Sequence, residues 1–234
     1  MKVLLLLGTI LAACCSSVGN AGEHLSLALL GSYTTDTRFI YNVDQPNVSL
    51  NDRYFSYNFG FGANLRWLAF GDDILVGINI EKIKSLERSI GGLSSEGLQY
   101  SIPVLEGFVV YPVEISGYYV IPVSSDDVRA YIGGGIGWYF GERIYWLGQA
   151  SAVAVNAPVG FGIHVLTGAD IKIFSSTAIR AELKFRDPQF DSVNRFQTAT
   201  TISQGVRILL PQSPSKTRVN VIGITYDLGL VFTL

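Results

Sequence analysis

The stretch "TAIRAELKFRD" occupies residues 177–187. Charged residues fall on its even positions, Arg180, Glu182, Lys184 and Arg186. Apolar residues fall on its odd positions, Ile179, Ala181, Leu183 and Phe185. A period of two sends successive side chains to opposite faces of a β-strand, so the stretch reads as a strand with one ionic and one apolar face. A soluble protein would turn the charges to water. A barrel standing in lipid would turn them inward. The rest of the chain decides which applies.

The same alternation recurs in residues 24–33, 54–67, 74–84, 103–121, 128–140, 157–173 and 219–234. In 54–67 every odd residue is apolar or aromatic (Phe55, Tyr57, Phe59, Phe61, Ala63, Leu65, Trp67), and most even ones are small or polar. The connections alternate in length. Residues 34–52, 85–102, 141–156 and 188–218 are long; 71–73, 122–127 and 174–177 are short and carry turn residues such as Gly71-Asp72-Asp73. Short turns at one end and long loops at the other are the pattern of transmembrane β-barrels. About 9–11 residues per strand cross a bilayer, and these strands are that long or longer. An open sheet edge in lipid leaves unpaired backbone groups, so the sheet is expected to close. The competing reading is a soluble lipocalin-like barrel. It would leave most of the apolar stripes facing water.

Composition agrees. Of 234 residues, 48% are hydrophobic and only 15% charged, against a usual charged share of about a quarter. A net charge of −2 gives no reason to expect nucleic-acid binding. Residues 1–21, "MKVLLLLGTILAACCSSVGNA", read as an export signal: Lys2, an apolar run from Val3 to Ala13, then small residues ending at Ala21. Leu11-Ala12-Ala13-Cys14 also resembles a lipobox, which makes Cys14 a candidate lipidation site. Both readings export the chain and leave residues 22–234 as the barrel. If cleavage follows Ala21, both cysteines are removed and no disulfide is available.

Three stretches carry a family resemblance: "AYIGGGIGWYFG" (130–141), "GIHVLTGADIKIFSSTAIRAELKFRD" (162–187) and "GITYDLGLVFTL" (223–234). They resemble the OmpA/OmpX-type outer membrane protein beta-barrel domain. The resemblance implies an all-β, eight-stranded antiparallel up-and-down transmembrane barrel in the outer membrane of a diderm bacterium. The family pattern ends in an aromatic residue. Here the last residue is Leu234, with Phe232 two before it.

By parity the barrel interior should collect Arg66, Glu81, Glu106, Glu114, Arg129, His164, Asp170, Arg180, Glu182, Lys184, Arg186 and Asp227. Eight strands enclose only enough room for side chains, so these groups are expected to pair as a polar plug. A narrow ion path is the competing reading. Glu114 with Arg129 and Glu182 with Arg66 are trial pairs. His164 is expected to bond a carboxylate rather than to serve as a base. A bulge is expected at Pro112, since proline cannot donate to a ladder. Trp67, Tyr118 and Tyr119 at one end, and Tyr54, Trp138, Tyr139 and Phe140 at the other, suggest two interface belts. No metal-ligand spacing, cofactor motif or catalytic constellation stands out.

The expected role is structural or interactive and non-enzymatic. Passage of small apolar molecules, as OmpW-like relatives suggest, comes second and a lipid-modifying enzyme third. Expected partners are outer-membrane lipid and lipopolysaccharide, the barrel-assembly machinery, and an extracellular partner reached through loops 34–52 and 188–218.

Overall fold

The computed structural model describes residues 25–41, 52–71, 73–95, 98–122, 125, 127–203 and 205–234. The signal segment 1–21, Cys14 and much of the 34–52 loop lie outside the described residues. The strands are β1 (Leu25–Thr34), β2 (Thr37–Tyr41), β3 (Arg53–Phe55), β4 (Asn58–Phe70), β5 (Ile74–Ser95), β6 (Leu98–Val120), β7 (Val128–Leu147) and β8 (Ala150–Asn156). They continue as β9 (Gly160–Phe174), β10 (Thr177–Arg186), β11 (Gln189–Phe196), β12 (Thr200–Ser203), β13 (Val206–Leu209), β14 (Ser215–Asn220) and β15 (Gly223–Thr233). No helix among the described residues is long and apolar enough to cross a membrane.

The sheet is antiparallel and closes on itself. Pairing runs β1–β4–β5–β6–β7–β9–β10–β15 and returns from β15 to β1, where Leu29 faces Leu230. The number of strands departs from the eight expected, because most of the long connections are themselves strands. β5, β6 and β7 run well past the expected ends, and β8, β11, β14, β2 and β3 extend the wall at that end. A separate hairpin, β12–β13, stands beyond them.

Five extension strands are continuations of ring strands across a bend. At β10/β11 the bend is Asp187-Pro188, where proline removes a ladder donor. At β1/β2 it is Thr35-Asp36. There the Ile224 N–H donates to Thr35 Oγ1 at 3.2 Å, and the Thr35 N–H donates to the Ile224 carbonyl at 3.0 Å. At β3/β4 the Asn58 amide donates to the carbonyls of Thr34 and Phe55 at 3.1 and 3.0 Å. Side chains thus satisfy backbone groups that the bend takes out of the ladder.

Outside, the ring is apolar. Leu29, Phe59, Phe61, Ile78, Ile132, Ile163, Val165, Ile179, Leu183, Phe185 and Leu228 are all exposed. Inside, Arg66, Glu114, Arg180, Glu182, Lys184 and Arg186 are buried. This is the inverse of a soluble barrel. Two expectations are corrected here. Pro112 causes no bulge: Ile80 faces Val113 and Ile83 faces Val110, so register is the same on either side, and pairing lapses only around Glu81 and Lys82. Tyr118 and Tyr139 are not belt residues; both point inward and are buried at 3% and 0% exposure.

Candidate functional site

The barrel interior is filled in tiers by the inward residues of the ring strands. Nearest the short turns, Leu75, Tyr118, Val120, Tyr131 and Leu166 form an apolar floor. The Arg66 guanidinium lies over the Tyr118 ring at 3.8 Å and the Tyr131 ring at 4.5 Å. Stacked guanidinium is attracted to the ring faces and shields them from water.

The second tier is ionic. Arg66 pairs with Glu182, and Tyr131 donates to the same carboxylate at 3.0 Å. Arg180 grips Asp170 through Nε and Nη2 at 2.7 and 2.8 Å, and donates to Asn64 Oδ1 at 2.7 Å. Lys184 Nζ lies 3.0 Å from Glu114, 3.5 Å from Asp227 and 3.9 Å from Glu182. Arg186 contacts Glu81 at 2.8 Å and Glu114 at 3.3 Å, and Ser32 donates to Glu81. Tyr139 and Asn79 donate to the remaining positions on Glu114 at 2.8 and 3.2 Å. Burying charge is costly unless each group is paired and hydrogen-bonded, and here nearly every group is.

Above it lies an apolar disc of Phe39, Phe55, Ile83, Phe108, Val110, Tyr139, Phe190, Val219 and Val221, all buried. Phe39 packs on Phe55 with ring centroids 4.5 Å apart. Gly141 makes room for the disc: a Cβ there would meet the Phe190 ring at 2.5 Å. Beyond the disc a second ionic tier joins β3, β5, β6 and β7. Arg143 holds Glu106 through Nε at 2.8 Å, and Arg53 reaches Glu106 at 3.0 Å and Glu87 at 3.4 Å. The Tyr41 hydroxyl donates to Glu106 at 2.9 Å. Burial, reinforced by the Glu106 charge, pushes the Tyr41 hydroxyl well above its ordinary range, so it stays a neutral donor.

The structure sorts the residues read from the sequence. Arg66, Glu81, Glu114, His164, Asp170, Arg180, Glu182, Lys184, Arg186 and Asp227 meet inside the ring. Glu106 sits in the upper tier, separated from them by the disc. Arg129 does not join them; it is exposed at the short-turn end, and Glu114 pairs instead with Lys184 and Arg186. His164 differs as well. Its Nε2 contacts the Ser116 hydroxyl at 2.7 Å, while Nδ1 is buried and, among the described residues, has no partner and no carboxylate holding it. Arg53, Arg143 and Tyr41 escaped sequence reading. Arg143 was legible, because it continues the odd parity of Tyr131 and Tyr139 along β7.

No group of three or more His, Cys, Asp or Glu side chains among the described residues is placed to hold a metal. An open cleft of about 490 Å³ lies on the extension, lined by Val153, Arg195, Phe196, Gln197 and Gln212.

No family model matches the chain, and no curated protein matches it by sequence. The OmpA/OmpX resemblance therefore rests on the quoted residues alone. Among solved structures the chain is similar to the outer membrane protein OprG from Pseudomonas aeruginosa, with a TM-score of 0.56 and 10% identity over 92% of this chain and 97% of that one. It also aligns with Neisserial surface protein A, with a TM-score of 0.49 and 11% identity over 90% of this chain and 97% of that one. At such identities the likeness to OprG is one of fold.

Proposed function

We propose that the chain is a small integral outer-membrane barrel with a closed lumen and a structural or surface-display role. The eight ring strands, β1, β4, β5, β6, β7, β9, β10 and β15, form the part embedded in lipid. The extension strands and the β12–β13 hairpin stand outside the cell, where an extracellular partner would meet them. Lipid, lipopolysaccharide and the assembly machinery are the remaining partners on this reading.

The observation that carries the proposal is the filling of the interior by successive apolar and ionic tiers. Floor, ionic tier, apolar disc and second ionic tier follow one another along the axis among the described residues. Passage of a small apolar molecule would need an apolar pocket in the outer half of the lumen; the packed disc takes that position. Catalysis by Ser116 would need an oriented base. His164 has no partner on Nδ1, and both residues are 2% exposed inside the ring.

Reconstituted protein tests this directly. In vesicles loaded with a small fluorescent anion, and separately in vesicles challenged with a small aromatic solute, fluxes should equal those of protein-free vesicles. Uptake of either solute that scales with the amount of folded protein refutes the closed lumen.

A further inference from the structure

The outer surface of β5 changes character along its length. Its outward column runs Ile74, Val76, Ile78, Ile80, then Lys82, Lys84, Leu86, Arg88. Among the described residues, Arg38, Arg53, Arg66, Arg143, Arg180, Lys184, Arg186, Lys216 and Arg218 all pair with carboxylates. Lys82, Lys84 and Arg88 show no ion pair with any described carboxylate. Lys82 instead lies over the Tyr111 ring at 5.6 Å.

The height of this column can be worked out. At about 3.4 Å per residue and a tilt of about 40°, Lys84 stands roughly 26 Å above Ile74, and an apolar band in such barrels is about 25 Å tall. Lys82 and Lys84 thus fall at the upper edge of the band, and Arg88 lies above it. The flanking aromatics give the same height independently. Lys84 is in register with Phe59 and Lys82 with Phe61, both exposed, and aromatic side chains collect at the lipid–water boundary.

The opposite side of the ring lacks such a column. At the corresponding outward positions β9 carries Phe161 and Ile163, β10 carries Phe185 and β15 carries Tyr226. The cations therefore mark one side, not a ring of positive charge. Among the described residues, Glu142, two strands away through Val109, is the outward carboxylate near them.

We propose that Lys82, Lys84 and Arg88 bind the net-anionic phosphate headgroup of a lipid packed against the β4–β5–β6 face. The acyl chains would lie on Ile74, Val76, Ile78 and Ile80, and Phe59 and Phe61 would flank the headgroup. This rests on the reading of the ring as membrane-embedded. Lys82 and Lys84 lie about 7 Å apart along the strand, close enough to share one phosphate, and Arg88, about 14 Å further on, adds to the attraction from above; each Lys or Arg near an anionic surface strengthens association roughly fivefold.

The test uses the full barrel folded into phosphatidylcholine vesicles containing a minor share of phosphatidylglycerol. Native mass spectrometry counts phosphatidylglycerol retained per protein, relative to its share in the vesicle. The comparison is wild type, the Lys82→Gln/Lys84→Gln/Arg88→Gln variant, and an Arg195→Gln/Arg207→Gln control that removes two exposed cations elsewhere on the extension. Wild type and control should be enriched alike, and the triple variant should lose at least fivefold of that enrichment. Equal enrichment in all three overturns the proposal. Displacement of the lipid by inorganic phosphate, or by an acidic peptide, at concentrations matching the lipid overturns the assignment to a lipid. Heat-modifiable gel migration, read on each sample, keeps the two readings apart. Failure of the wild type to fold into vesicles refutes membrane embedding and this site together; an embedded barrel without enrichment refutes the site alone.

Discussion

Replacing Lys184 with Met probes the ionic tier with little change of shape. The ammonium is buried among Glu114, Asp227 and Glu182 at 3.0, 3.5 and 3.9 Å. Met keeps the chain as far as the Cε position and leaves no sizeable cavity, so the change is mainly the loss of the ammonium and its charge. At an effective dielectric of about 20, each of these contacts is gross-favourable by roughly 4 kcal/mol. Most of that offsets the cost of burying the ions. What remains after one partner is removed is the cost of stranded carboxylates, typically about 3–5 kcal/mol. Arg186 still neutralises part of Glu114 and Arg66 part of Glu182, but Asp227 Oδ2 has no hydrogen bond from any described group. The expected loss is therefore about 3–5 kcal/mol, or roughly a hundred- to several-thousandfold in the unfolding equilibrium. The assay is a urea titration of the heat-modifiable folded band. Adding Asp227→Asn to Lys184→Met should recover at least about 1 kcal/mol, because the stranded charge goes with it. A loss below about 1 kcal/mol for Lys184→Met would mean the site is wet or the carboxylates are protonated, and would refute the account of the tier.

Three further outcomes are expected. Phe108→Ala opens the centre of the apolar disc and should cost about 3–5 kcal/mol in the same titration; ion flux should stay at baseline, since the Arg186–Glu81–Glu114 layer lies beneath. Gly135→Ala should cost at least about 3 kcal/mol or abolish folding, because its Cβ would stand 1.9 Å from the Ile115 carbonyl oxygen of the paired strand; a folded, wild-type-stable variant would contradict that packing. Asp191 is held below the ordinary carboxylate range, chiefly by the hydrogen bond from Arg218. A depressed pKa contributes stability above the unfolded value and loses it as pH falls, so the small deficit of Asp191→Asn at pH 7 should shrink steadily as pH falls below about 4, the ordinary carboxylate value. A deficit that persists in acid would point to packing instead.

The alternation was legible because a period of two is a local property. Inward and outward residues of "TAIRAELKFRD" follow from parity, and the structure places Arg180, Glu182, Lys184 and Arg186 inside. Pairing is not local. Glu182 with Arg66 follows from neither parity nor spacing, and Glu114 meets Lys184 because β6 and β10 face each other across the barrel, whereas Arg129 lies at the rim. The extension strands were hidden for a different reason. In Gln189–Phe196 the inward residues Phe190, Ser192, Asn194 and Phe196 mix aromatic with polar, and the outward ones include Asp191 and Arg195, so hydrophobicity does not alternate. The inward aromatics Tyr118 and Tyr139 were misplaced because a belt position and a lumen position differ by one residue.

The inverted alternation is the claim on which the rest depends. Single nitroxide labels at residues 179 to 185, on protein folded into vesicles, measure it by collision with oxygen and with a water-soluble nickel complex. Labels replacing Ile179, Ala181, Leu183 and Phe185 should be accessible to oxygen and shielded from nickel. Labels replacing Arg180, Glu182 and Lys184 should be shielded from both. Nickel accessibility at the odd positions would place the apolar face in water and contradict the account.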